Sequence, residues 1–437
     1  MAKLQDVLAE KIPAWREEIR ELVAEHGDRV ISEVTVRQAY GGMRGVKALV
    51  CDTSTVDPEQ GLFVRGIPIG TLVDRCPEEV FFLLCTGELP DERALADLRG
   101  DLLERTDIPR YVWNVVNAMP PECHPMSMLS AAILVLARES QFRRRYAEGI
   151  PKTDHWKPVL EDALNLIAKL PIIAAGIYRI GFGKGLPIQP TRNHDWAGYF
   201  AEALGIEDPQ GQFADLVRLY LVLHCDHESG NVSANTCHTV GSSLADPYLS
   251  VTAGLNGLAG PLHGLANQES LRFVLEVRDR FGGVPTDKQL IDYTWETLKA
   301  GRVIPGYGHA VLRQTDPRFI ALHAFGQRVC PDDEVFQIVD KLYRLIPGVL
   351  KEQGKAANPY PNVDAGSGCL LYHFGIKQLS FYTVFFAISR CLGLLSQRVI
   401  NRAIGTPIMR PKSVTTQWIK QAVAKPAGPA AAGQPSA

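Results

Sequence analysis

The sequence predicts a mainly α-helical protein, with a multi-helical large domain, a smaller helical domain and only minor, short antiparallel β structure near the N-terminus. Apolar residues recur at helical spacing through most of the 437 residues. Strand-like alternation is confined to a few short stretches, so any sheet should be small. No unit of roughly 20 to 50 residues repeats, which argues against a solenoid.

The strand-like stretches come first along the chain, at residues 30–36, 48–51 and 61–64, and a turn-rich stretch separates the last two. Three apolar stripes that predict helices follow: Phe213, Leu216, Val217, Tyr220 and His224; Val274, Val277 and Phe281; and Val335, Ile338, Val339, Leu342 and Leu345.

Loops rich in Gly and Pro punctuate the C-terminal half, at residues 282–285 and 354–361. We expect the helical block around them, residues 267–371, to form the small domain. Residues 1–266 and 372–424 would then form the large domain. The tail at 425–437 consists mostly of Ala, Gly and Pro and should be disordered.

Composition excludes several classes of protein. Hydrophobic residues make up 46%, charged residues 22%, and the formal net charge is −2, so neither nucleic acid nor a membrane is an expected partner. Nine scattered cysteines without a C-x-x-C pair indicate reduced thiols. The N-terminus has neither an apolar signal nor an Arg-rich presequence, which predicts a cytoplasmic protein and leaves open a processed mitochondrial matrix form.

Three segments dense in Gly or Pro each present one titratable residue: His263 in NGLAGPLHGLAN, His309 in PGYGHAVLR and Asp364 in PNVDAGSG. Such breaks let backbone and side chain approach a ligand closely. Two imidazoles and a carboxylate suggest acid–base chemistry. Each also has a structural explanation, namely a helix-capping histidine, a histidine in a surface turn and an N-cap aspartate.

His263 precedes a helix predicted to begin near Gly264. The positive end of the helix macrodipole disfavours a protonated imidazole there, so a neutral His263 would donate a hydrogen bond rather than act as a base.

Arg390 lies in a helix with little polar face, between Phe386 and Leu394. A buried guanidinium is costly without a partner, and the carboxylate of a ligand is a natural one. We favour that interpretation over a structural ion pair. Arg318 and Arg410 lie in predicted loops and are individually uninformative.

His224 and His227 end a predicted helix three residues apart, a spacing that a metal could use. The order is not H-E-x-x-H and no third ligand is evident nearby, so we expect no metal and favour a histidine pair at a substrate site. The glycine cluster at 181–185 lacks the G-K-[ST] ending of a phosphate loop, and no dinucleotide fingerprint follows a strand.

With GPLHGLANQE, PGYGHAVL and PNVDAGSG in this order, the chain resembles the citrate synthase family, in its mitochondrial-like form, from about residue 4 to residue 419. The resemblance implies a homodimer formed through the large domain. It also implies that the large and small domains close over the substrates. It also implies condensation of acetyl-CoA with oxaloacetate, then hydrolysis to citrate and CoA, with no cofactor and no metal.

The resemblance also implies roles for individual residues. Asp364 would take a proton from the acetyl methyl group while His263 donates to the thioester oxygen, and His309 would donate to the oxaloacetate carbonyl. The oxaloacetate carboxylates would be held by His227, Arg318, Arg390 and, from the other subunit, Arg410. CoA would contact the loop 303–309, including Val303, Gly306, Tyr307 and Gly308, together with Arg44, Arg313 and Lys355.

Two positions depart from the family pattern. Some relatives carry a second basic residue where Ala357 stands, which puts CoA affinity in question, and relatives often carry histidine where Asn235 stands.

Two alternative functions remain at this point. One is 2-methylcitrate synthase, which uses propionyl-CoA. It remains because a single methylene gives only about 1 to 3 kcal/mol of discrimination between two acyl-CoA substrates. The other is a catalytically silent or metal-binding helical protein.

Overall fold

The computed structural model describes residues 3–191, 194–309 and 311–424, and the described chain is predominantly α-helical, as predicted. The tail at 425–437, predicted to be disordered, lies outside the described residues. The N-terminal part contains eight of the helices: Leu4–His26 (α1), Val36–Tyr40 (α2), Pro77–Thr86 (α3), Glu92–Glu104 (α4), Arg110–Ala118 (α5), Pro125–Leu136 (α6), Gln141–Ala147 (α7) and Trp156–Gly181 (α8).

The remaining helices carry or surround the predicted site residues. They are Trp196–Leu204 (α9), Gln212–Leu223 (α10), Val232–Ser242 (α11), Pro247–Leu258 (α12), Ala266–Phe281 (α13), Asp287–Lys299 (α14), Pro317–Val329 (α15), Glu334–Gln353 (α16), Asp364–His373 (α17), Tyr382–Ala403 (α18) and Thr416–Ala424 (α19). The three apolar stripes lie on α10, α13 and α16, which confirms those helices.

The sheet is small, antiparallel and close to the N-terminus. Its strands are Ser54–Asp57 (β1), Gly61–Val64 (β2) and Ile67–Pro68 (β3), in the order β1-β2-β3. The strand expected at 61–64 is therefore confirmed. The turn before it forms because the carboxylate of Asp57 accepts hydrogen bonds from the backbone N–H groups of Glu59 and Gln60.

The strands expected at 30–36 and 48–51 are wrong, since neither stretch is in a strand. The first runs into α2, because Thr35 caps that helix and Gln38 reciprocates in a capping box. Their apolar residues are exposed, for example Val30 at 77% and Val50 at 81%. The alternation was therefore not the sign of a buried sheet face.

The core centres on α18 and α8, which pack against each other, and α18 also contacts α3, α10, α11, α12 and α13. Both are long and apolar enough to be candidate membrane spans, but 89% of the apolar window of α18 and 78% of that of α8 are buried inside the protein, as in core helices. Helices α13 to α17 pack among themselves, with α16 against α13, α14 and α17. Their assignment to a separate small domain stays a prediction.

Candidate active site

The loop that carries His309 is hydrogen-bonded to the segment that leads into Asp364. Asn362 makes the central contacts, because its backbone N–H donates to the carbonyl of Gly306 (2.9 Å) and its side-chain amide donates to the carbonyl of Gly308 (2.8 Å). Its side-chain oxygen accepts the backbone N–H of Asp364 (2.9 Å). Two segments distant in sequence are thus joined.

Gly306 permits this close approach. It has φ +80°, and a Cβ at that position would lie 2.7 Å from the Cα of Ala365, the residue after Asp364. Any other residue would push the two segments apart.

His309 has one ring nitrogen committed to the backbone. Its Nδ1 accepts hydrogen bonds from the N–H groups of Val311 (3.1 Å) and Leu312 (3.0 Å), so a neutral ring carries its proton on Nε2. Burial, with a smaller contribution from Arg318, lowers the pKa of His309 to about 4. The ring is therefore neutral at pH 7 and presents an N–H donor. Its centroid lies 5.6 Å from that of His227.

His263 has the complementary arrangement. It lies in the turn between α12 and α13, where Gly264 is needed because a Cβ there would lie 2.4 Å from the carbonyl oxygen of Leu258. The Nε2 atom accepts the backbone N–H of Ser233 (3.3 Å) and lies 3.1 Å from the Ser233 hydroxyl, so the neutral ring carries its proton on Nδ1. The ring is neutral because burial, and then Arg390, lower its pKa to about 4.

The helix predicted to begin near Gly264 begins at Ala266, three residues after His263. Burial and the nearby guanidinium of Arg390 lower the pKa of His263, in the same direction as the macrodipole effect expected from the sequence. The helix-capping alternative fails, because α13 has no side-chain cap.

Asp364 is the first residue of α17 and not its N-cap, which is Val363. Burial raises the pKa of Asp364 to about 6, although Arg318 and Arg390 oppose the shift. The helix of Asp364 packs on α13, and a Cβ on Gly368 would lie 2.5 Å from the side-chain oxygen of Asn267, four residues after His263. Asp364 is thus a carboxylate whose affinity for a proton is increased.

The two buried arginines of the candidate site differ in their partners. Arg318, predicted to lie in a loop, is instead a buried residue in the first turn of α15. It is paired, since its Nε and Nη2 donate to the two carboxylate oxygens of Asp316 at 3.0 and 2.7 Å. Burial alone would raise the pKa of Asp316, but Arg318 holds it below its usual value. Arg390 forms no ion pair with a described residue. Its Nη1 donates to Asn231 (3.2 Å) and Ser233 (3.0 Å), and its Nε has no hydrogen-bond partner in the part of the chain that the structure describes. Burial lowers the pKa of Arg390 to about 10.

The histidine pair does not end a helix as predicted, because α10 ends at Leu223, with His224 as its C-cap and His227 beyond it. The two rings also do not converge on one point. The Nδ1–H of His224 donates to the carbonyl of Tyr220 (2.9 Å), and the ring stacks on Tyr220 at 4.0 Å. His227 instead faces His309, and burial together with Arg318 and Arg390 holds the pKa of His227 well below its usual value. Among the residues that the structure describes, no three His, Cys, Asp or Glu side chains form a cluster that could hold a metal.

Of the remaining predicted site residues, Gly306 is buried, Tyr307 and Gly308 are half-buried, and the others lie at the surface. Val303 is 77% exposed, while Arg44, Arg313 and Lys355 are also exposed. Among the described residues, the guanidinium of Arg313 donates to the backbone carbonyls of Val311 and Leu312, and Arg410 lies exposed in the non-helical segment before α19. Arg313 also contributes, after burial and Arg318, to the lowered pKa of His309.

The two positions that depart from the family pattern lie apart from each other. Ala357 is exposed near Lys355, whereas Asn235 is on α11 and accepts a hydrogen bond from Thr239 (3.2 Å).

Sequence reasoning missed residues that support the arginines. Asn231 and Ser233 contact Arg390, and Asp316 pairs with Arg318. The ring of Phe386 lies 4.7 Å from the Arg390 guanidinium and 6.4 Å from the ring of His263. Phe386 could have been found, because it stands one helical turn before Arg390 on the same face.

Comparison with known proteins gives consistent matches. Residues 42–412 match the family model described as "Citrate synthase, C-terminal domain". The chain is 48% identical to "Citrate synthase, mitochondrial" of Aspergillus niger, covering 95% of this chain and 89% of the relative. It is 46% identical to the protein of the same name from Saccharomyces cerevisiae, covering 97% and 90%.

Among solved structures, the crystal structure of citrate synthase from Pyrobaculum aerophilum superposes with a TM-score of 0.78 at 26% identity, covering 89% of this chain and 95% of that one. The chain therefore belongs to the citrate synthase family, and it is an acyltransferase.

Proposed function

We propose that the protein condenses acetyl-CoA with oxaloacetate and water to give citrate and CoA. The observation that carries the proposal is that two neutral imidazoles, His263 and His309, each have one ring nitrogen held by backbone N–H groups, which leaves the other N–H for a ligand. Such donors stabilise oxyanions without requiring proton transfer from a cationic ring. Asp364 supplies a base of elevated pKa near both arginines.

The first step removes a proton from the acetyl methyl group. Asp364 accepts that proton while the Nδ1–H of His263 donates to the thioester oxygen, and an enol-like nucleophile forms. A base and an electrophile acting together are needed because a thioester methyl group is a weak acid. The raised pKa of Asp364 makes its carboxylate a stronger base than a solvated one.

The second step forms the carbon–carbon bond. The Nε2–H of His309 donates to the ketone oxygen of oxaloacetate as that oxygen becomes an alkoxide. His227, Arg318 and Arg390 hold the substrate carboxylates, and Arg390 is the best suited because it has no carboxylate partner among the described residues. Water then hydrolyses the thioester and releases CoA.

The CoA site and the dimer belong to the same proposal. The loop 303–309 would contact the adenine through backbone atoms, with Arg44, Arg313 and Lys355 near the phosphates. Arg410 would serve the site of the other subunit of a homodimer, which its exposed position supports. Exposed apolar residues such as Ile31 (76%) and Trp418 (55%) also favour a partner surface.

The small domain, residues 267–371, would close on the large one over the substrates.

The names of both fungal relatives include "mitochondrial" and do not support the cytoplasmic location predicted from the sequence. We propose the mitochondrial matrix form that the sequence left open.

The direct test is thiol release by the purified protein with oxaloacetate and each acyl-CoA. We expect release with acetyl-CoA, unchanged by a metal chelator, and a lower kcat/KM with propionyl-CoA. A higher kcat/KM for propionyl-CoA would make the protein a 2-methylcitrate synthase. Absence of thiol release with both would contradict the proposal.

The pH dependence should report Asp364. Only the ionised carboxylate can act as base, so kcat/KM for acetyl-CoA should fall tenfold per pH unit below a pKa of about 6. His263 and His309 have pKa values of about 4 and stay neutral through that range. An acid limb centred near pH 4, measured by steady-state kinetics at saturating oxaloacetate, would assign the limiting ionisation to a histidine and contradict the role of Asp364.

A further inference from the structure

The backbone beside His227 has an unusual conformation. Glu228, the next residue, has φ +58°, in the left-handed region that residues with a side chain rarely adopt. Backbone of this kind persists only where its surroundings over-determine it, and it is concentrated at functional sites. The hydrogen bonds that hold Glu228 therefore also constrain the backbone of His227.

Three contacts hold Glu228. Its backbone N–H donates to the hydroxyl of Ser54 (2.8 Å), and its carboxylate accepts the backbone N–H of Val56 (3.0 Å). Its carbonyl accepts from the side chain of Asn231 (3.0 Å), which also donates to the carbonyl of His227 (2.8 Å). Two of these contacts come from β1, which is paired in the sheet.

Ser54 also holds the residue on the other side of His227. Its hydroxyl donates to the carboxylate of Asp226 (2.9 Å), which is fully buried and also accepts from Thr53 and Gln397. Ser54 is itself only 2% exposed. One hydroxyl therefore bonds both neighbours of His227.

We propose that Ser54 is a positioning residue for oxaloacetate binding, which fixes the direction of the His227 ring by holding Asp226 and Glu228 against β1. Ser54 acts only through His227. The inference rests on the proposed function, in which His227 binds oxaloacetate. Loss of the Ser54 hydroxyl frees Glu228 to leave its left-handed conformation, and the imidazole then samples directions that do not meet the substrate.

The test is steady-state kinetics of the full-length enzyme. Ser54→Ala should raise the KM for oxaloacetate about tenfold, with the KM for acetyl-CoA within about twofold. Thr53→Val is the matched control, since Thr53 bonds Asp226 but not Glu228, and Asp226 keeps its bonds from Ser54 and Gln397 in that variant. It should leave the KM for oxaloacetate within about twofold. Equal effects of Ser54→Ala and Thr53→Val, or an unchanged KM in Ser54→Ala, would overturn the proposal.

A second pair of variants remains informative if Ser54→Ala does not fold. Glu228→Gly and Glu228→Ala both lose the carboxylate, but only Gly adopts a positive φ without a penalty. Glu228→Gly should therefore bind oxaloacetate better than Glu228→Ala, and in the Ser54→Ala background it should recover part of the lost affinity. Equal KM values for the two variants would overturn the role of the left-handed backbone.

His227→Gln separates this inference from the proposed function. An unchanged KM for oxaloacetate in that variant would remove His227 from the substrate site, whatever Ser54 does. A raised KM in His227→Gln with no effect of Ser54→Ala would leave the proposed function standing and remove the positioning role alone.

Discussion

Asp364→Asn should lower kcat by about 10³-fold and at the same time make the protein more resistant to heat. The loss of rate follows because the amide cannot accept the methyl proton, and a positioned base typically contributes about 10²- to 10⁴-fold. Thiol release measures the first effect. Thermal unfolding without substrates measures the second.

The gain in stability follows from the pKa of Asp364. Burial raises it to about 6 in the folded protein, so the unfolded chain ionises more readily than the folded one, and folding well above pH 6 carries a cost of about 3 kcal/mol that Asn avoids. Below the pKa of the unfolded state, the aspartate is protonated in both states and the cost is absent. The difference in melting temperature between variant and wild type should therefore be largest at pH 7 to 8 and shrink as the pH falls through 6 toward 4.

A variant that keeps most of its rate would remove Asp364 from the proposed chemistry. A variant that loses most of its kcat and has a lower melting temperature than the wild type at pH 8 would show that the ionised carboxylate is stabilised in the folded state, contrary to its raised pKa. Asp316→Asn is a useful contrast, because Arg318 lowers the pKa of Asp316 and its loss should destabilise the protein at pH 8.

Arg390→Leu should raise the KM for oxaloacetate by about 10²-fold or more, since charged hydrogen bonds to a buried carboxylate are lost. The fold should tolerate the change, because the guanidinium is 2% exposed, has no carboxylate partner among the described residues and has a pKa lowered by burial. Replacing such a charge by an apolar side chain is often neutral or stabilising. Steady-state kinetics with varied oxaloacetate, together with a melting curve, measures both effects.

Two control variants make this result specific to Arg390. Arg390→Lys keeps the charge but loses the planar fork, and should fall between the wild type and Arg390→Leu. Arg398 lies on the same helix, is fully buried and contacts the carbonyl of Ala245. Arg398→Leu should leave the KM for oxaloacetate unchanged. If it raises that KM as much as Arg390→Leu does, the effect belongs to the packing of α18 and not to a substrate contact.

Periodicity was a reliable guide wherever one face of a helix is buried. The stripes on α10, α13 and α16 predicted those helices because each buries its apolar side against neighbours. It failed at residues 30–36 and 48–51, where apolar residues are exposed. Local alternation cannot distinguish a buried strand from a stretch whose apolar side chains face outward.

The titratable residues of the candidate site were predictable, but the physical origin of their properties was not. Gly and Pro marked the breaks that contain His263, His309 and Asp364, because those breaks allow close backbone approach. The protonated nitrogen of each imidazole depends on backbone N–H groups of Ser233, Val311 and Leu312. The contact with Ser233 spans 30 residues and could not be inferred from spacing.

The three hydrogen bonds of Asn362 have a consequence for the timing of the reaction. They join the segment of Asp364 to the loop of His309, so under the proposed function a displacement that brings Asp364 to the thioester would also bring His309 to the ketone of oxaloacetate. Removal of the acetyl proton would then coincide with polarisation of the ketone, and unproductive proton exchange with solvent would be suppressed.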